Sequence, residues 1–204
     1  MSRDITMLHP WLQYKIGLLK KECEKAGLKL GIGECFRSVA EQDALYAQGR
    51  SKAGKIVTNA RGSSYSSQHQ WGVAVDVFQN IKGKEYEAAF LKKVAKIAKS
   101  KKVGLAWGGD WKSIVDTPHF YLPKWGSTPA TLRNKYGTVE RFKKEWSKKT
   151  KKNCKLWSKK TLRASKSLGK IPAGSKVELL YTSKLGYAKV KYNGKYGYIF
   201  KSVL

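Results

Sequence analysis

The stretch Ser67–Asp76, SQHQWGVAVD, and the later segment Asp116–His119, DTPH, decide the interpretation of this chain. They supply two carboxylates and two of the three histidines in the protein. A catalytic zinc site typically uses about three His, Asp or Glu ligands and leaves one position open for water. A general base beside that water completes a hydrolytic site. The candidate metal ligands are His69, Asp76 and His119, and the candidate base is Asp116.

The glycine between His69 and Asp76 predicts a bend in the chain. The two residues are an odd number of positions apart, so on one regular strand their side chains would point to opposite faces. We expect a bend or bulge at Gly72 that lets both side chains converge. Asp76 would then lie in a strand that includes Val73–Val77.

Pro118 predicts a turn rather than a helix between Asp116 and His119. A spacing of three would place both side chains on one helical face, but proline disfavours helix at the residue before it. We therefore expect a turn at Thr117–Pro118 that leads into a strand and lets His119 reach the metal.

Other segments in the same part of the chain complete a family pattern. They are Phe36–Ser38 with Gln42, then Leu45–Arg50, and Trp107–Trp111 just before Asp116. Together with the first two motifs they resemble the zinc D-Ala-D-Ala peptidases and their L-alanyl-D-glutamate endopeptidase relatives, the LAS superfamily, whose fold the Hedgehog signalling domain shares. The residues of these motifs are most similar to those of the endopeptidase branch, which is found in phage endolysins and in a Bacillus cell-wall enzyme. The resemblance covers roughly residues 5–146.

The resemblance implies a role for each matching residue. Zn2+ would be bound by His69, Asp76 and His119, Asp116 would be the general base, and Arg37 would stabilise the oxyanion. Substrate-binding candidates are Ser67, Gln42 and Trp111. The implied reaction is hydrolysis of the L-Ala–D-Glu bond of peptidoglycan stem peptides. Asp116 fits this branch, because carboxypeptidase relatives commonly carry Glu there.

Several of these roles have structural alternatives. Packing or support of a neighbouring site residue, rather than contact with substrate, is equally open for Ser67, Gln42 and Trp111. Arg37 could be an ion-pair partner that only supports the fold. Asp116 precedes Thr-Pro, and Asp in that context is also common in turns.

The pattern over residues 1–146 predicts an α+β zinc peptidase domain with a small antiparallel sheet. A helix is expected up to Gly27, and Ser38 with Glu41 forms a capping box that starts another. The remaining predicted elements are strands over Leu28–Glu34, Val103–Trp107 and His119–Leu122, a helix over Tyr86–Ala98, and a helix with Pro129 at its first position.

The C-terminal part of the chain has a different composition. Residues 148–204 contain sixteen Lys or Arg and one acid, Glu178. The lysine-rich run over 147–155 predicts an extended linker, followed by a second domain over 156–204. Alternating runs joined by Asn193–Gly194, a strong hairpin signal, predict an all-β SH3-like barrel. This segment resembles the bacterial SH3 (SH3b) cell-wall-binding module, and its wall-binding candidates are Trp157, Tyr187, Tyr192 and Tyr196.

The net charge of +28 indicates a polyanionic environment or partner. Lysine supplies 35 of the 42 basic residues and is spread along the chain, which suits long-range attraction to anionic wall polymers. A lysine-rich surface is also compatible with solubility alone. Nucleic-acid readers more often concentrate arginine on one face, so we expect no specific nucleic-acid partner.

Cysteines and the N-terminal sequence bear on the compartment. Cys23, Cys35 and Cys154 are an odd number without metal-ligand spacing, which favours free thiols in a reducing compartment. Residues 1–6 show no signal-peptide pattern, and no segment reaches the roughly 20 apolar residues of a membrane span. We expect a monomeric endolysin made in the host cytoplasm and released to the wall at lysis.

Three other functions remain open from the sequence. A carboxypeptidase would remove terminal D-Ala, and a non-catalytic wall binder would use zinc only to fold. A protein that binds nucleic acid by charge would show steep salt dependence and no response to a chelator.

Overall fold

A computed structural model describes residues 2–204. It divides the chain into two compact units, Met1–Val139 and Glu140–Leu204. The division falls earlier than the boundary after residue 146 that the composition suggested. No helix among the described residues is both long and apolar enough to cross a membrane.

The first unit combines helices with one antiparallel sheet, so the α+β prediction is confirmed. Its helices are α1 (Pro10–Lys25), α2 (Val39–Ala47), α3 (Ala88–Ala98) and α4 (Ala130–Tyr136), and α5 (Val139–Lys143) begins at its last residue. Its strands are β1 (Leu30–Ile32), β2 (Ala74–Gln79), β3 (Ala106–Trp107) and β4 (His119–Tyr121), in the order β1-β2-β4-β3.

Helices α1 and α3 supply much of the apolar core of this unit. Leu12, Ile16 and Leu19 recur at helical spacing on α1 and are fully buried, as is Val94 on α3. They pack in one cluster with inward-facing residues of β2, so the sheet rests on a helical layer. This arrangement holds β2 rigidly, and β2 carries one of the candidate ligands.

Local signals placed the helix starts with small errors. Ser38 and Glu41 form the predicted capping box in full. Pro129, however, is the residue before helix α4 rather than its first residue. The predicted strand over Leu28–Glu34 is shorter and spans only β1.

The second unit is a six-stranded antiparallel sheet. Its strands are β5 (Ser147–Lys149), β6 (Cys154–Trp157), β7 (Ser167–Ile171), β8 (Lys176–Thr182), β9 (Tyr187–Tyr192) and β10 (Lys195–Phe200), in the order β5-β8-β9-β10-β6-β7. The hairpin between β9 and β10 is confirmed, because Asn193 and Gly194 both have positive φ, 45° and 75°. Among the described residues, β5 and β7 do not pair with each other, so the closed SH3-like barrel stays a prediction.

The expected linker over residues 147–155 is wrong. Ser147–Lys149 pair with β8, and Cys154 begins β6. Between these strands Thr150 is buried, and its hydroxyl donates to the Pro172 carbonyl at 2.7 Å. Strand pairing uses backbone groups, so lysine side chains can stay in solvent while the chain is ordered.

All three cysteines carry free thiols, as expected, and Cys23 and Cys35 are fully buried.

Candidate metal centre

A tight turn and a glycine bring His69 and Asp76 to the same place. His69 lies in a short 3-10 turn, Gln68–Trp71, which ends at Gly72 with φ of 63°. Strand β2 begins two residues later and contains Asp76. The bend predicted at Gly72 is therefore confirmed, because the left-handed conformation there is accessible to glycine at little steric cost.

The second motif reaches the same place from the neighbouring strand. Thr117 and Pro118 form the predicted turn, and β4 starts at His119. In the antiparallel pairing of β2 with β4, Asp76 lies directly opposite His119. Directly opposed residues have closely spaced side chains, so the sheet itself brings these two groups together.

The three side chains form a compact set of donor atoms. Asp76 Oδ1 lies 3.2 Å from His69 Nε2 and 3.1 Å from His119 Nδ1. The two imidazole nitrogens are 3.1 Å apart. All three atoms thus fall within 4.8 Å of one another, close enough to share one ion.

Hydrogen bonds to the outer ring nitrogens orient both histidines. His69 Nδ1 lies 2.9 Å from the Cys35 carbonyl oxygen, and His119 Nε2 lies 2.8 Å from Gln68 Oε1. Both partners are acceptors, so each outer nitrogen carries the proton and donates it. The inner nitrogens then present lone pairs to the Asp76 carboxylate, and such outer contacts are typical of metal-ligating histidines. The residues fit a divalent cation.

Burial and charge act against each other in this set. Burial works to raise the pKa of Asp76, but the two histidines outweigh it and hold that pKa below its usual range. Burial works to lower the pKa of His69, yet the Asp76 carboxylate raises it. Burial lowers the pKa of His119. A cation that binds here would take the place of a proton, which is the usual coupling between metal binding and protonation.

Asp116 lies at the same site with its carboxylate available. Among the described residues, that carboxylate accepts no hydrogen bond, and burial raises its pKa. Gly108 permits this position, because a Cβ there would lie 2.6 Å from the Asp116 carbonyl oxygen and 3.1 Å from His119 Cβ. A carboxylate with raised pKa beside a metal set is suited to accept and release a proton.

Arg37 lines the pocket, but its guanidinium is already partly engaged. Its Nε donates to Glu34 Oε1 at 2.6 Å, and its Nη2 donates to the other oxygen of the same carboxylate. Its Nη1 donates to Gln42 Oε1 at 2.8 Å. The ion-pair alternative for Arg37 is thus real, and it coexists with a place in the pocket.

A cavity of about 1120 Å³ opens over the metal set. Ser67 and Trp111 line it, together with Arg37 and Asp116. The Trp111 ring lies 5.1 Å from that of His119, and its Nε1 donates to Tyr121 Oη at 3.2 Å.

Gln42 does not line the cavity, so of its two predicted roles the structure favours support of a neighbouring site residue over contact with substrate. It is fully buried. Its amide nitrogen donates to Thr58 Oγ1 at 3.2 Å and to the Ala60 carbonyl at 2.8 Å, and its oxygen accepts from Arg37. Gln42 therefore positions Arg37 and the following loop.

The wall-binding candidates separate into two environments in the second unit. Tyr192 packs against the apolar core cluster. Tyr187 and Tyr198 contact edge to face, with ring centroids 5.7 Å apart, and Trp157 is opposite Tyr198 in the pairing of β6 with β10. Tyr196 has the ammonium of Lys191 5.8 Å from its ring centroid.

Sequence reasoning missed three groups of the site: Gln68, Glu34 and the Cys35 carbonyl. Gln68 is next to His69, but nothing in its residue type signals that it bonds the other histidine. Glu34 is three positions before Arg37, a spacing that could have suggested the ion pair. A backbone carbonyl leaves no signal in the side-chain sequence.

A His–Asp–His set with both histidines buried, beside an available carboxylate in an open cavity, is typical of a metal-dependent hydrolase. A family model described as D-alanyl-D-alanine carboxypeptidase, of peptidase family M15, matches residues 61–122. Peptidoglycan L-alanyl-D-glutamate endopeptidase CwlK of Bacillus subtilis (strain 168) is 39% identical over 126 residues, 56% of this chain and 73% of that protein. The chain belongs to the M15 family of zinc metallopeptidases, in its L-alanyl-D-glutamate endopeptidase branch.

Two further similarities are more limited. The L-alanyl-D-glutamate peptidase of Listeria phage A118 is 33% identical over 99 residues, 47% of this chain, but the match spans only 31% of the phage protein. The crystal structure of Serratia marcescens L-Ala D-Glu endopeptidase ChiX has a TM-score of 0.44 and 27% identity, covering 58% of this chain and 82% of that one.

Proposed function

We propose that this protein hydrolyses the L-Ala–D-Glu bond in peptidoglycan stem peptides and that the reaction depends on zinc. The observation that carries the proposal is the Asp116 carboxylate, which lies beside the His69–Asp76–His119 set with no hydrogen-bond donor among the described residues. The L-Ala–D-Glu bond is proposed because the relatives in Bacillus subtilis and Listeria phage A118 are L-alanyl-D-glutamate peptidases.

The chemistry divides between the metal and the chain. Zinc held by His69, Asp76 and His119 would polarise the scissile carbonyl and make a water molecule acidic near neutral pH. Asp116 takes a proton from the attacking water and passes it to the nitrogen of the departing D-Glu. General base and acid assistance of this kind typically contributes about 100- to 10,000-fold in rate.

Arg37 supports the developing negative charge on the carbonyl oxygen. Three of its five N–H groups are used by Glu34 and Gln42, which leaves two for substrate. The same contacts fix the guanidinium plane, so little reorganisation is needed when charge develops.

A second activity deserves a direct test because the matching family model is described as a D-alanyl-D-alanine carboxypeptidase. The two activities release different products from the same wall. Mass spectrometry of purified Gram-positive peptidoglycan, digested with and without a zinc chelator, separates them.

New amino termini on D-Glu or D-isoGln, lost with chelator and restored by zinc, are the expected result. Release of free D-Ala alone would favour the carboxypeptidase. A zinc-loaded, folded protein that cleaves no wall would leave only a binding role.

We also propose that the second unit attaches the enzyme to the wall as an SH3b-type module, in an endolysin released from the host cytoplasm at lysis. Its support is the group Trp157, Tyr187 and Tyr196, whose side chains are partly exposed, with the ammonium groups of Lys155 and Lys191 5.8 Å from the rings of Trp157 and Tyr196. Tyr192 is left out of this group because its side chain packs against the apolar core cluster.

Cosedimentation of the full chain with purified walls tests the attachment. Combined W157A, Y187A and Y196A should abolish wall binding, whereas Y86A in the first unit, where Tyr86 is 67% exposed, should not. Equal binding by both variants would refute the assignment.

A further inference from the structure

Two arginines, Arg37 and Arg61, line the cavity, and Arg50 lies on the loop beside them; the three guanidinium groups differ in how many hydrogen bonds they make. Arg37 is paired with Glu34 and Gln42, as described above. Arg50 donates from Nη1 to the carbonyls of Tyr46 and Thr58 at 2.7 and 3.0 Å, and from Nη2 to Asn59 Oδ1 at 2.9 Å. Through these hydrogen bonds Arg50 holds helix α2 to the loop that follows it.

Arg61 is exposed, and it lines the cavity. Within the described residues, no carboxylate lies within 4.0 Å of its guanidinium. Asp43 acts on Arg61 only through its charge, and its Oδ1 accepts a hydrogen bond from the Gly62 backbone N–H at 2.6 Å. The forked donors of Arg61 are therefore presented to the cavity without an anionic partner.

The backbone beside Arg61 is held firmly. Besides the bond to Asp43, the Gly62 carbonyl accepts from Gln70 Nε2 at 2.8 Å, and Gln70 is buried next to His69. A Cβ on Gly62 would lie 2.3 Å from the Val39 carbonyl oxygen, so only glycine fits. The residue that carries the guanidinium thus has a fixed position relative to the metal set.

The Arg61 side chain is also supported. Its guanidinium carbon lies 5.1 Å from the centroid of the Tyr46 ring, within the range of a cation–π interaction. The guanidinium also acts on the phenol oxygen, and a hydrogen bond from Arg61 lowers the pKa of Tyr46. Tyr46 lines the same cavity, so the supported fork faces the space where substrate binds.

The proposed substrate supplies an anion that could pair with this fork. Glutamate has two carboxyl groups, and only one of them continues the peptide chain. The D-Glu residue on the amine side of the scissile bond therefore carries a second carboxyl group, free or amidated. A guanidinium pairs with a free carboxylate through two parallel hydrogen bonds, which an amide cannot reproduce.

We propose that Arg61 binds the second carboxylate of the D-Glu residue and makes the enzyme prefer substrates in which that group is free. This inference rests on the proposed L-Ala–D-Glu endopeptidase function. Lys112, the other exposed cation that lines the cavity, is a point charge on a flexible stem and provides the matched control.

The test uses two synthetic stem peptides that differ only in the second carboxyl group of D-Glu, which is free in one and amidated in the other. The zinc-loaded full chain, its R61Q variant and its K112Q variant are each assayed for kcat/KM on both. A charge-assisted fork of this kind corresponds to roughly 10- to 100-fold in kcat/KM. We expect the wild type and K112Q to prefer the free carboxylate by that factor, and R61Q to lose the preference.

The outcomes separate this inference from the function on which it rests. If the wild type cleaves both peptides and R61Q slows both equally, Arg61 is structural and the inference is overturned. Equal loss of preference in K112Q would also overturn it, because general charge would then suffice. Cleavage of neither peptide by the wild type would overturn the proposed function itself.

Two conservative variants keep the test valid if R61Q folds poorly. R61K retains the charge without the fork and should keep only part of the preference. Y46F retains the ring but removes the phenol oxygen that supports Arg61, and it should reduce the preference for the free carboxylate. An unchanged preference in both would contradict the proposed fork.

Discussion

Asp116 differs from the other carboxylates of the site in having no fixed partner. Glu34 is held by Arg37 and Asp76 by two histidines, whereas the Asp116 carboxylate is unengaged among the described residues. A carboxylate that gains and loses a proton during each turnover functions best without a permanent hydrogen-bond partner. This difference makes Asp116 the residue whose loss should affect chemistry alone.

We expect D116N to retain zinc and lose about 100- to 10,000-fold in kcat/KM. Asparagine is nearly isosteric with aspartate, so Gly108 and the Thr117–Pro118 turn should remain in place. Zinc content by atomic absorption and cleavage of a stem peptide measure the two properties separately. Full activity in this variant would eliminate the proposed base.

Gln68 gives a complementary prediction at the residue scale. Its side chain accepts the proton of His119 Nε2 at 2.8 Å and donates to the Gly126 carbonyl at 3.1 Å. Q68L keeps the approximate volume but removes both bonds, and loss of such an outer partner typically weakens metal affinity about 10- to 100-fold. Competition with a chelator of known affinity measures the change, and an unaltered zinc affinity would show that His119 needs no orienting bond.

At the scale of elements, helix α1 depends on a histidine at its start. His9 Nδ1 accepts the backbone N–H of Trp11 at 3.1 Å, and burial lowers the pKa of His9 to about 3, with a further contribution from Lys124. Above pH 6.5 the residue is neutral in both states. Between about pH 3 and 6.5 only the unfolded chain binds the proton, so stability falls as the pH falls through that range.

We therefore expect the free energy of unfolding to fall by about 2 kcal/mol between pH 7 and 5 through His9. H9N should lack this part, because asparagine also caps helices and does not titrate. Denaturant unfolding of both proteins at both pH values isolates the difference, since other titrating groups cancel. Parallel pH dependence in the two proteins would contradict the assignment.

Local signals predicted these elements better than distant ones did. The capping box at Ser38, the bend at Gly72 and the turn at Asn193–Gly194 each depend on a few adjacent residues, and all three were found. The linker prediction was wrong because the pairing of Ser147–Lys149 with β8 depends on residues far along the chain. A lysine-rich composition predicts that the side chains are exposed to solvent. It does not predict whether the backbone of the same residues pairs with another strand.

In the candidate site, too, the sequence predicted the residues of distinctive motifs but not the contacts that depend on the fold. The ligands could be named because histidines are few and their spacing is distinctive. Gln68 and Cys35 could not, since their roles come from the fold rather than from residue type. Gln42 was placed in the substrate pocket because the motif contains it, and only its full burial shows that it acts on Arg37.

At the scale of the whole molecule, positive charge is present in both units. The second unit is strongly basic, with one acid among residues 148–204. The first holds the acids of the metal centre. Long-range attraction to an anionic wall would not require a precise surface, whereas cleavage requires fixed geometry, so the proposed wall attachment and the metal centre can lie in separate parts of the chain.

The direct opposition of Asp76 and His119 across two strands has a consequence for folding. A slip of β4 by one residue would turn His119 to the far face of the sheet, so only the native alignment can assemble the ligand set. Zinc would then favour the native register of β2 and β4 during folding, because it stabilises that register and no shifted one.

Native-state hydrogen exchange can detect this selection. The backbone N–H groups of Val77 and Leu122 bond to Pro118 and Val73, so they report on the β2–β4 pair. At zinc concentrations about 100 times the dissociation constant, their exchange through global opening should slow by about 100-fold. Amides of the second unit should exchange at the same rate with and without zinc. The ion proposed for catalysis would thereby also protect the first unit from a shifted pairing of β2 and β4.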